Sequence, residues 1–251
     1  MKFKEYIETH QVFTVDDLRT VASVASARTL LGRALACGEL ERVRRSVYVS
    51  KTGKFAGESP DPLRVLMVVD PEAVVSYHSA LVAHGVAHSV SFECSFRSKT
   101  VRTPFEYGGI RYSPHDDGDS PLTQTIRARA YGSATTTIRE QTLVDCLARQ
   151  TRAGGLEEVI RSCSAFPYVE TETLLTLLKK GSAAVAARAG WMLEAKAEDW
   201  NIPETLLVEL ESLLGRGPAK LAPGVKGNRG WNSRWKLYLP EAESELREWI
   251  S

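Results

Sequence analysis

The chain has 251 residues, 43% of them hydrophobic and 25% charged, with a formal net charge of +1, the composition of a globular protein that buries a core without staples. No apolar run approaches the ~20 residues a membrane helix needs, and the opening MKFKEYIETHQ lacks a signal peptide's apolar stretch. Four scattered cysteines form no CxxC pair, so the expectation is a reduced, cytoplasmic protein with no membrane partner.

In chain order, Phe3, Tyr6 and Ile7 at helical spacing mark a short amphipathic helix. Thr14 followed by Asp16 and Asp17 reads as a capped start with acids in the first turn, opening a brief second helix that ends near Val21. A third helix runs from Ser26 to Cys37 and closes at Gly38. Leu31, Ala34 and Leu35 form its inward stripe, whereas Arg28, Thr29, Gly32 and Arg33 share the opposite face. GELERVRRSVYV (38–49) then reads as a hairpin with Arg42, Arg44 and Arg45 at its tip. Residues 1–57 hold ten Lys/Arg against six Asp/Glu, and the other 194 hold 22 against 25. Three helices followed by a basic hairpin is the order of a winged helix-turn-helix, whose third helix enters the major groove of duplex DNA. Arg28, Thr29 and Arg33 are therefore candidate readers of DNA, and Arg42, Arg44 and Arg45 candidate phosphate contacts. Exposed pairs with Glu39 and Glu41 are the plainer use of those arginines.

A Gly/Pro-rich stretch, KTGKFAGESPDP (51–62), places the domain boundary after residue 57. The expected organisation is α+β: a winged helix-turn-helix at 1–57 and a larger mixed α/β domain at 58–251. In the latter, helices are expected over Leu63–Val69, within Glu72–His84 and ending at Gly85, over Arg139–Arg149, and near 155–164, 171–179, 183–198 and 203–214. Strands are expected at 91–98, 109–114 and 134–138.

Chemical motifs are sparse. His84 and His88 could share a helix face, with His78 six residues before His84, but Gly85 and the lack of a nearby carboxylate on that face count against a metal site, and local hydrogen bonding by Ser76, His78 and His84 is the expected role. Glu194 and Lys196 form an E-x-K triplet, but on a helical pattern rather than the strand of a nuclease site. Asp145 falls on an apolar helix face and is expected to be a buried structural acid. Residues 216–236 interleave six cations with Trp231 and Trp235 and contain no acid. That segment is read as a turn before a tryptophan-anchored strand, with single-strand stacking as the alternative. No catalytic residue, metal or cofactor is nominated, and the chain is not expected to be an enzyme.

Several segments together resemble one family. GELERVRRSVYV, VVSYHSALVAHGV (74–86), REQTLVDCLARQTRAGGLEEVIRSC (139–163), RAGWMLE (188–194) and GNRGWNSRWKLYL (227–239) are similar, in the same order, to landmarks of the AbiEi-type antitoxins. Ser46 and Gln150 depart from it, standing where that family usually has glycine and proline. The resemblance implies an antitoxin that represses its own operon by binding inverted repeats in double-stranded promoter DNA and counteracts a co-encoded nucleotidyltransferase-like toxin, often in phage defence. Two other classes fit the residues: a winged-helix regulator whose larger domain senses a small molecule, and a nucleic-acid-processing enzyme.

Overall fold

The computed structural model describes residues 2–118 and 120–250. The chain mixes helices and strands and divides into two compact units, one of Met1–Val74, Phe92–Gly118 and Thr125–Thr135, the other of Val75–Ser91, Asp119–Gln124 and Thr136–Ser251.

The first unit begins with α1 (Phe3–Thr9), β1 (Val12–Thr14), a 3-10 turn at Asp16–Thr20, α2 (Val24–Ala36), β2 (Leu40–Arg44) and β3 (Val47–Ser50). β3 lies between β1 and β2, antiparallel to both, with Val12 opposite Val49 and Leu40 opposite Ser50. Tyr6, Ile7, Phe13, Leu18, Ala27, Leu31, Ala34, Leu40 and Tyr48 close a small core beneath this sheet. The expected second helix is a single 3-10 turn. Thr14 and Asp17 cap it reciprocally, the Asp17 amide donating to Thr14 Oγ1 (3.2 Å) and the Thr14 amide to Asp17 Oδ2 (2.7 Å). β1, which no alternation announced, precedes it.

Downstream come α3 (Pro62–Val69), started by the Asp61 cap, β4 (Val74–Val75), and, after the excursion into the second unit, β5 (Glu93–Arg97), β6 (Phe105–Tyr107), β7 (Ile110–His115), β8 (Thr123–Ala128) and β9 (Gly132–Thr137). β7 pairs parallel with β5 and antiparallel with β6. The six-stranded order is β6-β7-β5-β4-β9-β8, and the chain passes between the units within β4, β8 and β9. The boundary expected after residue 57 falls inside the first unit. There Tyr107 on β6 donates to Glu41 on β2 (2.7 Å), and Arg44 lies over the Phe105 ring (5.1 Å), so the hairpin is fastened to sequence sixty residues away.

The second unit contains α4 (His78–Ala83), α5 (Arg139–Ala148), α6 (Leu156–Ser164), α7 (Thr171–Lys180), α8 (Ala183–Ala195), α9 (Glu204–Ser212), the short strands β10 (Ala219–Lys220), β11 (Gly230–Asn232) and β12 (Leu237–Leu239), and α10 (Glu243–Arg247). The helix expected within Glu72–His84 is His78–Ala83, preceded by the short strand β4 and a break. Tyr77 takes φ +56° at the break, a backbone no helix continues through. A large apolar core runs through α5 to α9 and includes Trp191, Trp235, Leu237 and Leu239. α8 is its axis. Buried Arg188 donates to the carbonyls of Leu147 (2.8 Å) and Lys220 (2.9 Å), and a Cβ on Gly190 would stand 2.1 Å from the Trp235 ring. Only glycine lets that indole lie against the helix backbone, which accounts for the RAGWMLE segment without any chemistry.

Candidate nucleic-acid interface

α2 carries the residues that the sequence nominates as DNA readers. Ser23 caps its start, and its end is a Schellman turn: Gly38, at φ +70°, donates to the Leu35 carbonyl (3.1 Å) and Glu39 to that of Ala34 (2.9 Å). The turn redirects the chain into β2. Ala27, Leu31 and Ala34 are buried, whereas Arg28, Thr29, Gly32 and Arg33 are exposed, so the sequence pattern and the observed faces coincide. The helix carries two arginines and no acid, and neither Arg28 nor Arg33 has an ion pair among the described residues. Nothing lies within 4 Å of a Cβ built on Gly32. The face between the two guanidinium groups is open.

The hairpin arginines are placed less uniformly. Arg45 is exposed at the tip without an ion pair among the described residues. Arg42 is exposed, and its Nε donates to the Arg44 carbonyl (3.2 Å). Arg44 is half-buried against Phe105, which takes its charge by cation–π contact rather than leaving it outward. Glu41 does not neutralise any of the three, because it is held by Tyr107 and, at 3.9 Å, by Lys51. The tip itself is Arg45-Ser46, with Ser46 at φ +67° and its carbonyl accepting from the Val15 amide (2.9 Å). Phe105 and Tyr107 escaped sequence reasoning, since nothing local in FEYGG signals an anchor for a hairpin sixty residues earlier.

The chemical motifs of the second unit resolve into packing. His84 ends α4, and Gly85 at φ +74° breaks any helical path to His88. His84 Nε2 faces the Thr137 carbonyl (2.9 Å), so Nε2 carries the proton. His78 and Glu158, each 5% exposed, approach to 3.3 Å. Glu158 also accepts from the His88 amide (3.0 Å), the Ser89 amide (3.3 Å) and the Ser162 hydroxyl (2.6 Å). Burial pushes that carboxyl upward, but the bonds from Ser162 and Ser89 and the nearby His78 outweigh it and leave it below its ordinary range. Among the described residues no three His, Cys, Asp or Glu side chains could hold a metal ion. Asp145 is buried and accepts from Gln141 (2.8 Å). Glu194 accepts from Arg234 and from the Trp235 indole (both 2.8 Å), while Lys196 pairs with Asp199, so the E-x-K triplet is spent on structure.

No family model and no curated protein matches the chain. Among solved structures, the crystal structure of the RV2827C protein from Mycobacterium tuberculosis is similar, with a TM-score of 0.67 and 16% identity over 98% of this chain and 91% of that one. The likeness is one of fold. It extends over nearly the whole chain, both units included. Among the described residues no helix is long and apolar enough to cross a membrane.

Proposed function

We propose that this protein is a DNA-binding antitoxin and autorepressor, in which residues 1–57 form a winged helix-turn-helix and α2 is its recognition helix. The observation that carries this is the outward face of α2: Arg28, Thr29 and Arg33 exposed and free of ion pairs around the uncovered Gly32. A helix that enters the major groove needs cations for phosphate and base edges, and small residues where it approaches closely. The β2–β3 hairpin supplies the wing, with Arg42 and Arg45 as its outward charges and Arg44 as the residue that fastens it. The second unit carries the antitoxin activity against a co-encoded nucleotidyltransferase-like toxin. That half of the reading rests on the motifs that resemble AbiEi-type antitoxins in both units.

Gel-shift titration with the DNA upstream of the gene, at two salt concentrations, tests the head. Arg28→Ala and Arg33→Ala each weaken binding to that sequence by about 1–3 kcal/mol. Arg45→Ala lowers affinity for all duplexes alike and reduces the salt slope by about one. Absence of any shift with the upstream DNA removes the repressor reading. For the body, the adjacent gene is expressed alone and together with this chain; growth arrest that co-expression does not relieve removes the antitoxin reading.

A further inference from the structure

The small sheet of the second unit, in the order β10-β12-β11, has two unlike faces. Leu237 and Leu239 of β12 point into the core, with Trp235 beside them, and all three are fully buried. The intervening register row faces outward: Lys220 pairs with Tyr238, and Tyr238 with Trp231. All three are exposed, Trp231 at 48% and Tyr238 at 38%, and the two rings stand 5.0 Å apart at 55°. A lysine, a phenol and an indole thus cross the open face in one line.

The cations of 216–236 divide by whether an acid meets them. Arg234 is surrounded by Glu194, Glu204 and Glu211, and Arg229 pairs with Glu241 (2.7 Å). Arg216, Lys220 and Lys226 are exposed with no ion pair among the described residues, and no acid occurs in the segment. Of the cations that no acid meets, Lys220 stands in the aromatic row itself, beside Tyr238.

We propose that this face binds a single-stranded polynucleotide, its bases stacking on Trp231 and Tyr238 and its phosphates met by Lys220, Lys226 and Arg216. Sequence-tolerant single-strand recognition combines these parts: aromatic faces for unstacked bases and a cationic surround that follows the backbone. A duplex keeps its base faces stacked inside and offers nothing for the two rings to cover. The site is separate from α2 and does not depend on the reading of that helix as a DNA reader.

Fluorescence anisotropy of the full chain with a labelled 12-nucleotide RNA, the same sequence as single-stranded DNA, and its duplex tests the proposal. The single strands bind, and Trp231→Ala weakens them about tenfold, as does Tyr238→Ala, while Trp231→Phe retains binding. Lys220→Ala with Lys226→Ala flattens the salt dependence. Trp231→Ala leaves binding to the upstream duplex unchanged, and Arg28→Ala with Arg33→Ala leaves single-strand binding unchanged, so this site and the α2 site succeed or fail separately. No single-strand binding by the parent chain, parent-like binding by both the Trp231→Ala variant and the lysine double variant, or binding of polyglutamate but not of the oligonucleotides overturns it.

Discussion

Ser46 takes φ +67° at the tip of the hairpin, in the left-handed region where a side chain costs roughly 1–2 kcal/mol. The strain is local to one residue, and removing it has a definite sign. Ser46→Gly relieves it but frees the unfolded chain, so the net gain is about 0.5 kcal/mol. Ser46→Val is destabilising, because a β-branched residue fits that backbone worst. Urea midpoints followed by far-UV circular dichroism read both. The titration of His84 ties stability to pH. Burial lowers its proton affinity, and Arg139 adds to the effect, against the Thr137 carbonyl and Glu140. The unfolded chain therefore binds the proton more tightly. Stability is full above the ordinary histidine value of about 6.5 and falls as pH drops below it. Glu158, held below its ordinary range, adds a second loss as pH falls through its folded value. His84→Gln abolishes the first loss and leaves the second, measured as urea midpoint against pH. All five tryptophans lie between residues 191 and 249, so their fluorescence reports the second unit alone.

Among elements, α2 is where stability and the proposed function pull apart. Gly32 sits in the middle of an exposed helix with open space above it, so Gly32→Ala raises helix stability by about 0.5–1 kcal/mol. If the face approaches DNA closely, the added methyl group weakens binding, and gel shift beside thermal melting shows the two moving in opposite directions. α2 was legible in the sequence because a 13-residue amphipathic helix repeats its signal through several turns and ends at a capping glycine. α5 to α9 were legible for the same reason. Strands of two or three residues, such as β1, β6 and β10, carry too little alternation to be read. Tyr77 defeats the periodic pattern around it, since its positive φ follows from surroundings that no local sequence reports. The candidate site divides likewise. The faces of Arg28, Thr29 and Arg33 follow from helical spacing, but the fate of Arg44 depends on Phe105, and that of Arg234 on three distant carboxylates.

Across the molecule, the segments that looked most chemical are mostly absorbed by architecture. The glycine of RAGWMLE makes room for Trp235, its arginine ties β10 to α5, and its glutamate receives the Trp235 indole. What remains uncompensated is the face of α2 in the first unit and the aromatic row in the second. The cysteines give this arrangement a practical side. Cys94, Cys146 and Cys163 are buried, and a hydrogen bond from the Cys146 thiol to Cys163, together with burial, pushes that thiol upward, away from its reactive form. Cys37 is exposed, and it is the residue that caps α2. The natural chain thus carries a single accessible attachment point for a maleimide dye, one turn from Arg33, and a probe placed there reports on occupancy of that helix without any engineering of the protein.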